Sequence, residues 1–477
     1  MEDQLCYAVI QALKDGATYA DARFQADEGQ SLLLKNGALE VSSFDVRRGI
    51  SVRVIVNGAM GFAATNILTK GNLNTLVKHA VHRAQASSTM RRRPIAMAPA
   101  ELCQQEFDLR PRIGFDHVPL ESRIDLLMEA DAWAVEAAGK HGMTLPGRYI
   151  SLDTWSTEKY IVSSDGTEVR LRTPRVAMDL FLMAKDGDRT AQRSLQLGES
   201  AGWEGVERWD LPNRLSDEAT QLTKVLGQGR AMGTERCDVV LGPEVVGIVC
   251  HESSGHPSEA DRMLGRESAQ AGETYLDRRS LGQTIGSEHV NVVDDPTLPR
   301  SFGYYQCDDE GVRARKRYLI RRGKVDGLLH NRETAHEMGT TSNGSSRSVA
   351  YNREPIVRMA NTYLEPGDHS FEELIGDIRE GIYIKNFMEW NIDDRRFNQR
   401  YVGLEAYRIR SGRLEGMVRN PRIEMTTPAL WSAVDAVGDD LSFTAAYCGK
   451  GDPAQAIPVW TGGPHLRLRD VVVGGSA

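Results

Sequence analysis

The run His251-Glu252-Ser253-Ser254-Gly255-His256 holds two imidazoles and a carboxylate within six residues. That is the set a hydrolytic metal site needs: neutral imidazoles to bind zinc, and a carboxylate to take a proton from water. In the familiar HExxH pattern the histidines are four residues apart and share one helix face. Here they are five apart. At about 100° per residue the second ring lies about 140° from the first, so an ideal helix points the two apart. Two backbone routes close the gap. A π-bulge absorbs one residue and restores the shared face, and such bulges favour functional sites. Alternatively the helix ends at Gly255 and His256 swings in from a non-helical position. Glycine permits either route. The expectation is helix from about Pro243 through Glu252, with a π-bulge or termination between Ser253 and His256.

Catalytic zinc takes a third protein ligand and keeps a fourth position open. The residues offer two candidates. Glu259 lies three positions past His256 and reaches the same metal if helix resumes there. Cys448 lies in Tyr447-Cys448-Gly449-Lys450-Gly451, read as a Gly-rich turn from which a thiolate projects, with Lys450 favouring the charged form. Residue chemistry alone leaves this choice open. Cys250 adjoins His251 but points about 100° away on a helix, which reads as core packing. His336-Glu337 repeats the pair without a second histidine at Gly339, Thr340 or Thr341, and reads as structural.

The elements around the motif must hold it inside. Asp238-Val239-Val240-Leu241 reads as a strand, and Gly242-Pro243-Glu244 opens a helix with Pro in its first turn and an acid beside it. Val245, Val246, Ile248 and Val249 make that helix apolar, so His251 and Glu252 sit in or near low dielectric and need a partner. Upstream, residues 31–66 read as a β-meander with type I′ turns at Asn36-Gly37 and Asn57-Gly58. Leu73, Leu76, Val77, Ala80, Val81 and Ala84 repeat with helical period. A second helix covers about 120–138, with Ile124, Leu127 and Val135 on one face, and a third lies near 216–228. Strands return over 147–185. Downstream of the motif, Tyr318-Leu319-Ile320 and Ala406-Tyr407-Arg408-Ile409 are strand-like. Arg322-Gly323 and Ser411-Gly412 are turns, which suggests an antiparallel sandwich or barrel.

At 477 residues the chain exceeds the ~250–300 at which one core stops growing, so two domains are expected, 1–232 and 233–477. With 40% hydrophobic and 26% charged residues it reads as globular. A formal net charge of −8 argues against a nucleic-acid partner, and Arg91-Arg92-Arg93-Pro94 reads as a solvated linker. No apolar run approaches the ~18–20 residues of a membrane span, and the acidic, polar start lacks a signal-peptide pattern. A cytoplasmic location with no membrane partner follows as an expectation. The six cysteines lack any CxxC pair and read as free thiols or metal ligands.

His251-Glu252-x-x-Gly255-His256-x-x-Glu259-x-Asp261 resembles the signature of the TldD/PmbA family of zinc metallopeptidases. Tyr19-Ala20-Asp21-Ala22-Arg23, Gly61-Phe62-Ala63-Ala64-Thr65-Asn66, the stretch Pro355 to Tyr363, Cys448-Gly449-Lys450 and the ending Val473 to Ala477 are similar to the same family, in order along nearly the whole chain. The resemblance implies an α+β fold: an N-terminal α/β domain, then a β-rich, barrel-like C-terminal domain carrying the metal-binding helix. It implies His251, His256 and Cys448 as Zn2+ ligands, Glu252 as general base, and Glu259 as a residue that orients a ligand. It implies a motif-bearing, TldD-like member, dimeric with itself or with a TldE/PmbA-like partner. Departures occur at Gly451-Asp452-Pro453 and over Phe387 to Tyr401, where Trp390, Arg395, Arg396 and Arg400 replace a Gly-rich pattern. The function expected is zinc-dependent hydrolysis of peptide bonds in unfolded peptides or proteins. The rival readings are a biosynthetic metalloenzyme acting on a modified peptide or small amide, and a non-catalytic assembly partner with a structural zinc.

Overall fold

The computed structural model describes residues 1–90, 93–267 and 272–475. Arg91 and Arg92 of the basic cluster, and Ser476 and Ala477 at the end, therefore lie outside the described residues.

Asn36-Gly37 and Asn57-Gly58 turn the chain with positive φ at both positions, 48° and 80°, then 51° and 71°. That is the type I′ geometry that suits a twisted hairpin. The strands they join, Tyr19–Lys35, Ala38–Val56 and Ala59–Thr65, run longer than their apolar segments. The extra length differs between strands: the added part of Tyr19–Lys35 carries polar residues that face protein, whereas residues 38–48 of the second strand are exposed. Asp21, Arg23, Gln25 and Arg53 are all buried. Thr144–Ser163, Glu168–Asp186 and Arg189–Glu199 extend this into a seven-stranded sheet.

Helix Lys70–Ser88 buries all six residues of the expected stripe. Helix Leu120–Gly139 differs from expectation: Val135 is 42% exposed, and the buried line runs through Leu127, Ala130, Ala134 and Ala137. Small alanines let this helix lie close to the sheet, so the larger Val135 turns outward. Helix Leu211–Gln228 packs its apolar face into the same core.

Beyond it the chain is β-rich. Strand Glu235–Leu241 lies in a nine-stranded sheet, parallel to Glu380–Ile384 and antiparallel to Leu466–Gly474. A six-stranded sheet includes Asn361–Leu364, Gln455–Gly463 and Ser442–Lys450. Asn361–Leu364 runs parallel to Gln455–Gly463, so the arrangement is mixed and not the purely antiparallel one expected. The curled sheets and the mixed N-terminal layer make this an α+β fold with a barrel-like C-terminal part. Helix Pro243–Cys250 fills the space between the two sheets. Val245, Val246, Val249 and Cys250 share one core with Val239 and Ile382 of one sheet and Val459 of the other.

Buried ion pairs tie the two halves together. Arg53 bridges Asp21 and Glu310, Lys159 meets Asp309 at 2.6 Å, and Arg193 meets Glu244 at 2.6 Å. Cys103 and Cys307 form a disulfide across the same seam, contrary to the expected free thiols. Their pairing follows from the approach of two segments 204 residues apart, which spacing could not reveal. Cys6, Cys237, Cys250 and Cys448 remain thiols.

Candidate metal centre

The α-helix ends at Cys250, two residues earlier than expected, and His251–Gly255 forms a π-helical turn. The backbone N–H of His256 donates to the carbonyl of His251, an i→i−5 bond. The extra residue swings the second imidazole back over the first. The ring centroids are 4.9 Å apart and nearly perpendicular, at 77°. Side chains pin the turn from outside: Ser253 Oγ donates to Gln399, which also accepts from the Tyr401 hydroxyl, and Tyr275 donates to the Ser253 carbonyl. Gly255 has an ordinary helical φ of −63°, so backbone freedom is not why glycine stands there. A Cβ would lie 1.9 Å from Met359 Sδ; the position requires space.

Cys448 sits within strand Ser442–Lys450, opposite Ile457, and not in the turn that follows. A strand paired along its length holds the sulfur more firmly than a loop would. Its Sγ lies 3.5 Å from His256 Nε2, and the ligand atoms of His251, His256 and Cys448 are all within 4.8 Å of one another. All three residues are buried. Burial pushes the Cys448 thiol up, but His256 and the Arg358 guanidinium outweigh it and bring it down to about 7. Lys450 does not supply that charge: its ammonium meets Asp261 at 2.7 Å and Glu259 at 3.3 Å.

Glu259 is fully buried and faces the distal nitrogen of His256, with Oε2 2.9 Å from Nδ1. Burial opposes its charge, yet Lys450, Arg262 and His256 together hold its carboxyl well below the usual range. An ionised Glu259 accepts the Nδ1 proton and leaves Nε2 with a free lone pair on the Cys448 side. Burial lowers the pKa of both His251 and His256 and keeps the imidazoles neutral, the form that binds metal. The His251 side chain makes no hydrogen bond among the described residues, and its buried Nδ1 has no partner. A buried imidazole without a polar partner is costly unless a ligand supplies one.

Glu252 is buried beside the histidines, with Oε2 accepting from Arg396. Arg396 comes from the connection between strands Phe387–Ile392 and Asn398–Gly403, and has a left-handed φ of 61°. Its unusual backbone is anchored by Thr427 Oγ1, which donates to its carbonyl at 3.0 Å. The bulky, charged segment is visible in the sequence, but its pairing with Glu252 is not. Arg358 was also missed as a site residue, although it lies in a segment the sequence marks out. His336 and Glu337 stand apart on helix Arg332–Met338, where Glu337 pairs with Arg93, Arg266 and Arg278.

Three sequence models of the PmbA/TldA metallopeptidase match the chain: domain 1 over residues 20–84, the central domain over 113–226, and the C-terminal domain over 234–475. A Methanothermobacter thermautotrophicus protein named a metalloprotease is 32% identical over 98% of each chain. A Saccharolobus solfataricus protein named a zinc metalloprotease TldD homolog is 26% identical over 96% of this chain and 97% of its own. The crystal structure of TldE from Thermococcus kodakarensis shares the fold with a TM-score of 0.76 at 16% identity, over 99% of this chain and 100% of the other. The family models account for most of the chain, including the whole segment that carries the π-turn and Cys448, and the chain therefore belongs to the PmbA/TldD metallopeptidase family.

Proposed function

We propose that the chain is a zinc peptidase acting on unfolded peptides or proteins, with His251, His256 and Cys448 holding the metal and Glu252 as general base. The observation that carries this reading is the convergence of three buried donors next to a buried carboxylate. The donor chemistry suits zinc: neutral imidazoles, a thiol drawn towards its thiolate, and a carboxylate on the distal nitrogen of one ligand. The name of the Saccharolobus relative supports the same metal. Zinc bound there would supply a Lewis acid for the scissile carbonyl and acidify water towards a pKa of roughly 7. Arg396 holds Oε2 of Glu252 and so fixes the plane of the carboxylate. Oε1 makes no hydrogen bond among the described residues and takes the proton, then hands it to the leaving amine. Glu259, with Arg262 and Lys450 behind it, keeps His256 in its metal-binding tautomer. A carboxylate directly after the first ligand has no purpose in a structural zinc site, which weighs against the assembly-partner reading. The biosynthetic reading draws on the 387–401 segment, whose Arg396 reaches the site and would narrow the choice of substrate.

The same reading includes a division of the chain at 232/233, a cytoplasmic location, and a dimer with a second copy or a TldE/PmbA-like partner. Strand Ala38–Val56 supports the dimer. Over residues 38–49 it pairs on one side only among the described residues, and Leu39, Val41, Phe44 and Val46 are exposed there. An apolar, one-sided strand edge is a ready pairing surface. The test of the proposal is hydrolysis of an unfolded protein such as reduced, alkylated casein. It should stop on chelation and return with zinc. Hydrolysis indifferent to chelation would contradict it.

A further inference from the structure

A cavity of about 380 Å³ lies where the N-terminal sheet meets the C-terminal strands, within the size range of small-ligand sites. It is separate from the metal centre. Tyr447 and Pro458, which line it, are cross-strand partners, and Tyr447 precedes Cys448 on the same strand. Successive strand residues point to opposite faces, so the cavity occupies the back of the strand that presents Cys448.

Its walls carry both signs, Arg47, Lys159, Arg175 and Arg347 against Asp27, Glu28, Asp45, Asp153, Asp308 and Asp309, and two of the arginines stand out. Arg175 and Arg347 are both buried, and neither has an ion-pair partner among the described residues. Arg175 donates only to the carbonyls of Phe302 and Tyr304, at 3.3 and 3.2 Å, and its Nη1 makes no hydrogen bond among the described residues. Arg347 donates to the carbonyls of Met359 and Pro458, at 2.7 and 2.9 Å. Burial pushes the Arg175 guanidinium down to about 10, and the neighbouring Arg347 adds to that effect. Three of the wall's acids are engaged elsewhere, and Glu28 and Asp45 are exposed. Asp309 is held by Lys159 and Arg23, at 2.6 and 3.5 Å. Asp27 accepts from Thr157 at 2.8 Å, with Arg47 3.6 Å away. Asp308 accepts three backbone N–H groups, each at 2.9 Å. Asp153 is half-buried, and burial raises its pKa. Two adjacent buried cations without a direct ion pair among the described residues are costly to fold, and an anion placed between them relieves that cost. Beside them Trp155 and Tyr447 form an apolar wall, each packed edge to face on the buried Phe302, at 5.9 and 5.2 Å. A planar guanidinium and an aromatic wall together match a carboxylate attached to an apolar body.

We infer that this cavity is a second binding site, which takes the terminal α-carboxylate of a short peptide between Arg175 and Arg347, with the adjoining side chain against the aromatic wall. The inference stands whether or not the metal centre hydrolyses peptides. It is tested by calorimetric titration of the full chain, stripped of metal by a chelator, with N-acetyl-L-phenylalanine and with its amide. The acid should bind at least about tenfold more tightly than the amide, the loss expected for one charge-assisted hydrogen bond. Arg175→Met, which keeps the volume and removes the charge, should weaken the acid by a similar factor while a cooperative melting transition is retained. Equal binding of acid and amide, absence of acid binding, or full binding by Arg175→Met would overturn the inference. Acid binding that appears only when zinc is restored would place the ligand at the metal centre and would overturn it too. If the variant does not fold, the comparison of acid with amide on the native chain decides alone.

Discussion

Glu252 and Glu259 are both buried carboxylates beside the histidines, yet their partners assign them different work. Glu259 has a histidine, an arginine and a lysine around Oε2, so it is committed to holding His256. Glu252 has one arginine on one oxygen and keeps the other for a proton. Glu252→Gln should therefore retain zinc while hydrolysis falls ~10²-fold or more, as loss of a general base does. Metal analysis and casein hydrolysis on one preparation check this; full activity would remove the general-base role. Glu259→Gln should act on the metal instead and lower zinc affinity ~10–100-fold, as loss of an outer partner does. Competition with a chromophoric chelator measures it, and unchanged affinity would leave Glu259 a purely structural residue. Much of this was legible in the sequence, because His251, Glu252 and His256 lie in one short run and Glu259 follows at close spacing. Arg396 was not, because its contact with Glu252 joins residues 144 apart and arginines are common on any surface.

At the scale of elements, the five-residue histidine spacing posed a geometric problem that a π-turn solves. The turn in turn depends on Gly255 lying against Met359. Gly255→Ala should crowd Met359 and destabilise the chain by about 1–3 kcal/mol, the usual cost of overpacking. It should also weaken zinc binding, since the turn aims both imidazoles. The double variant Gly255→Ala/Met359→Ala relieves the clash, so its stability loss should be less than the sum of the two single losses. Thermal melts of the four proteins test this; strict additivity would deny the contact its role. Hairpins at Asn36-Gly37 and Asn57-Gly58 were legible because type I′ turns need residues that tolerate positive φ. The full length of strand Tyr19–Lys35 was not. Its Asp21, Arg23 and Gln25 look like solvent-facing residues until the neighbouring strand supplies Arg53 and the opposing half supplies Asp309 and the carbonyl groups they bond. The location of Cys448 was misjudged for a related reason: the glycines around it suggest a turn, while pairing with Gln455–Gly463 carries the strand through to Lys450.

For the whole molecule, the two halves are joined by buried charge and a disulfide, while one sheet edge remains open. A dimer formed through that edge would continue the N-terminal sheet. Phe44, 62% exposed, and Val46, 49% exposed, are the positions to change. Phe44→Lys with Val46→Lys places like charges along the edge and should shift the chain from dimer to monomer, read by light scattering. The melting transition of each protomer should be little changed, because both side chains are in solvent. A chain that is monomeric from the outset, or a double variant that stays dimeric, would move the interface elsewhere.

The central claim is that one zinc ion joins His251, His256 and Cys448. An anomalous difference map from crystals of the zinc-loaded chain, collected at the zinc absorption edge, addresses it most directly. The account predicts a single strong peak at the π-turn, about 2.0–2.1 Å from the two imidazole nitrogens and about 2.3 Å from Cys448 Sγ. A map with its peak elsewhere, or with Cys448 outside the coordination shell, would contradict it.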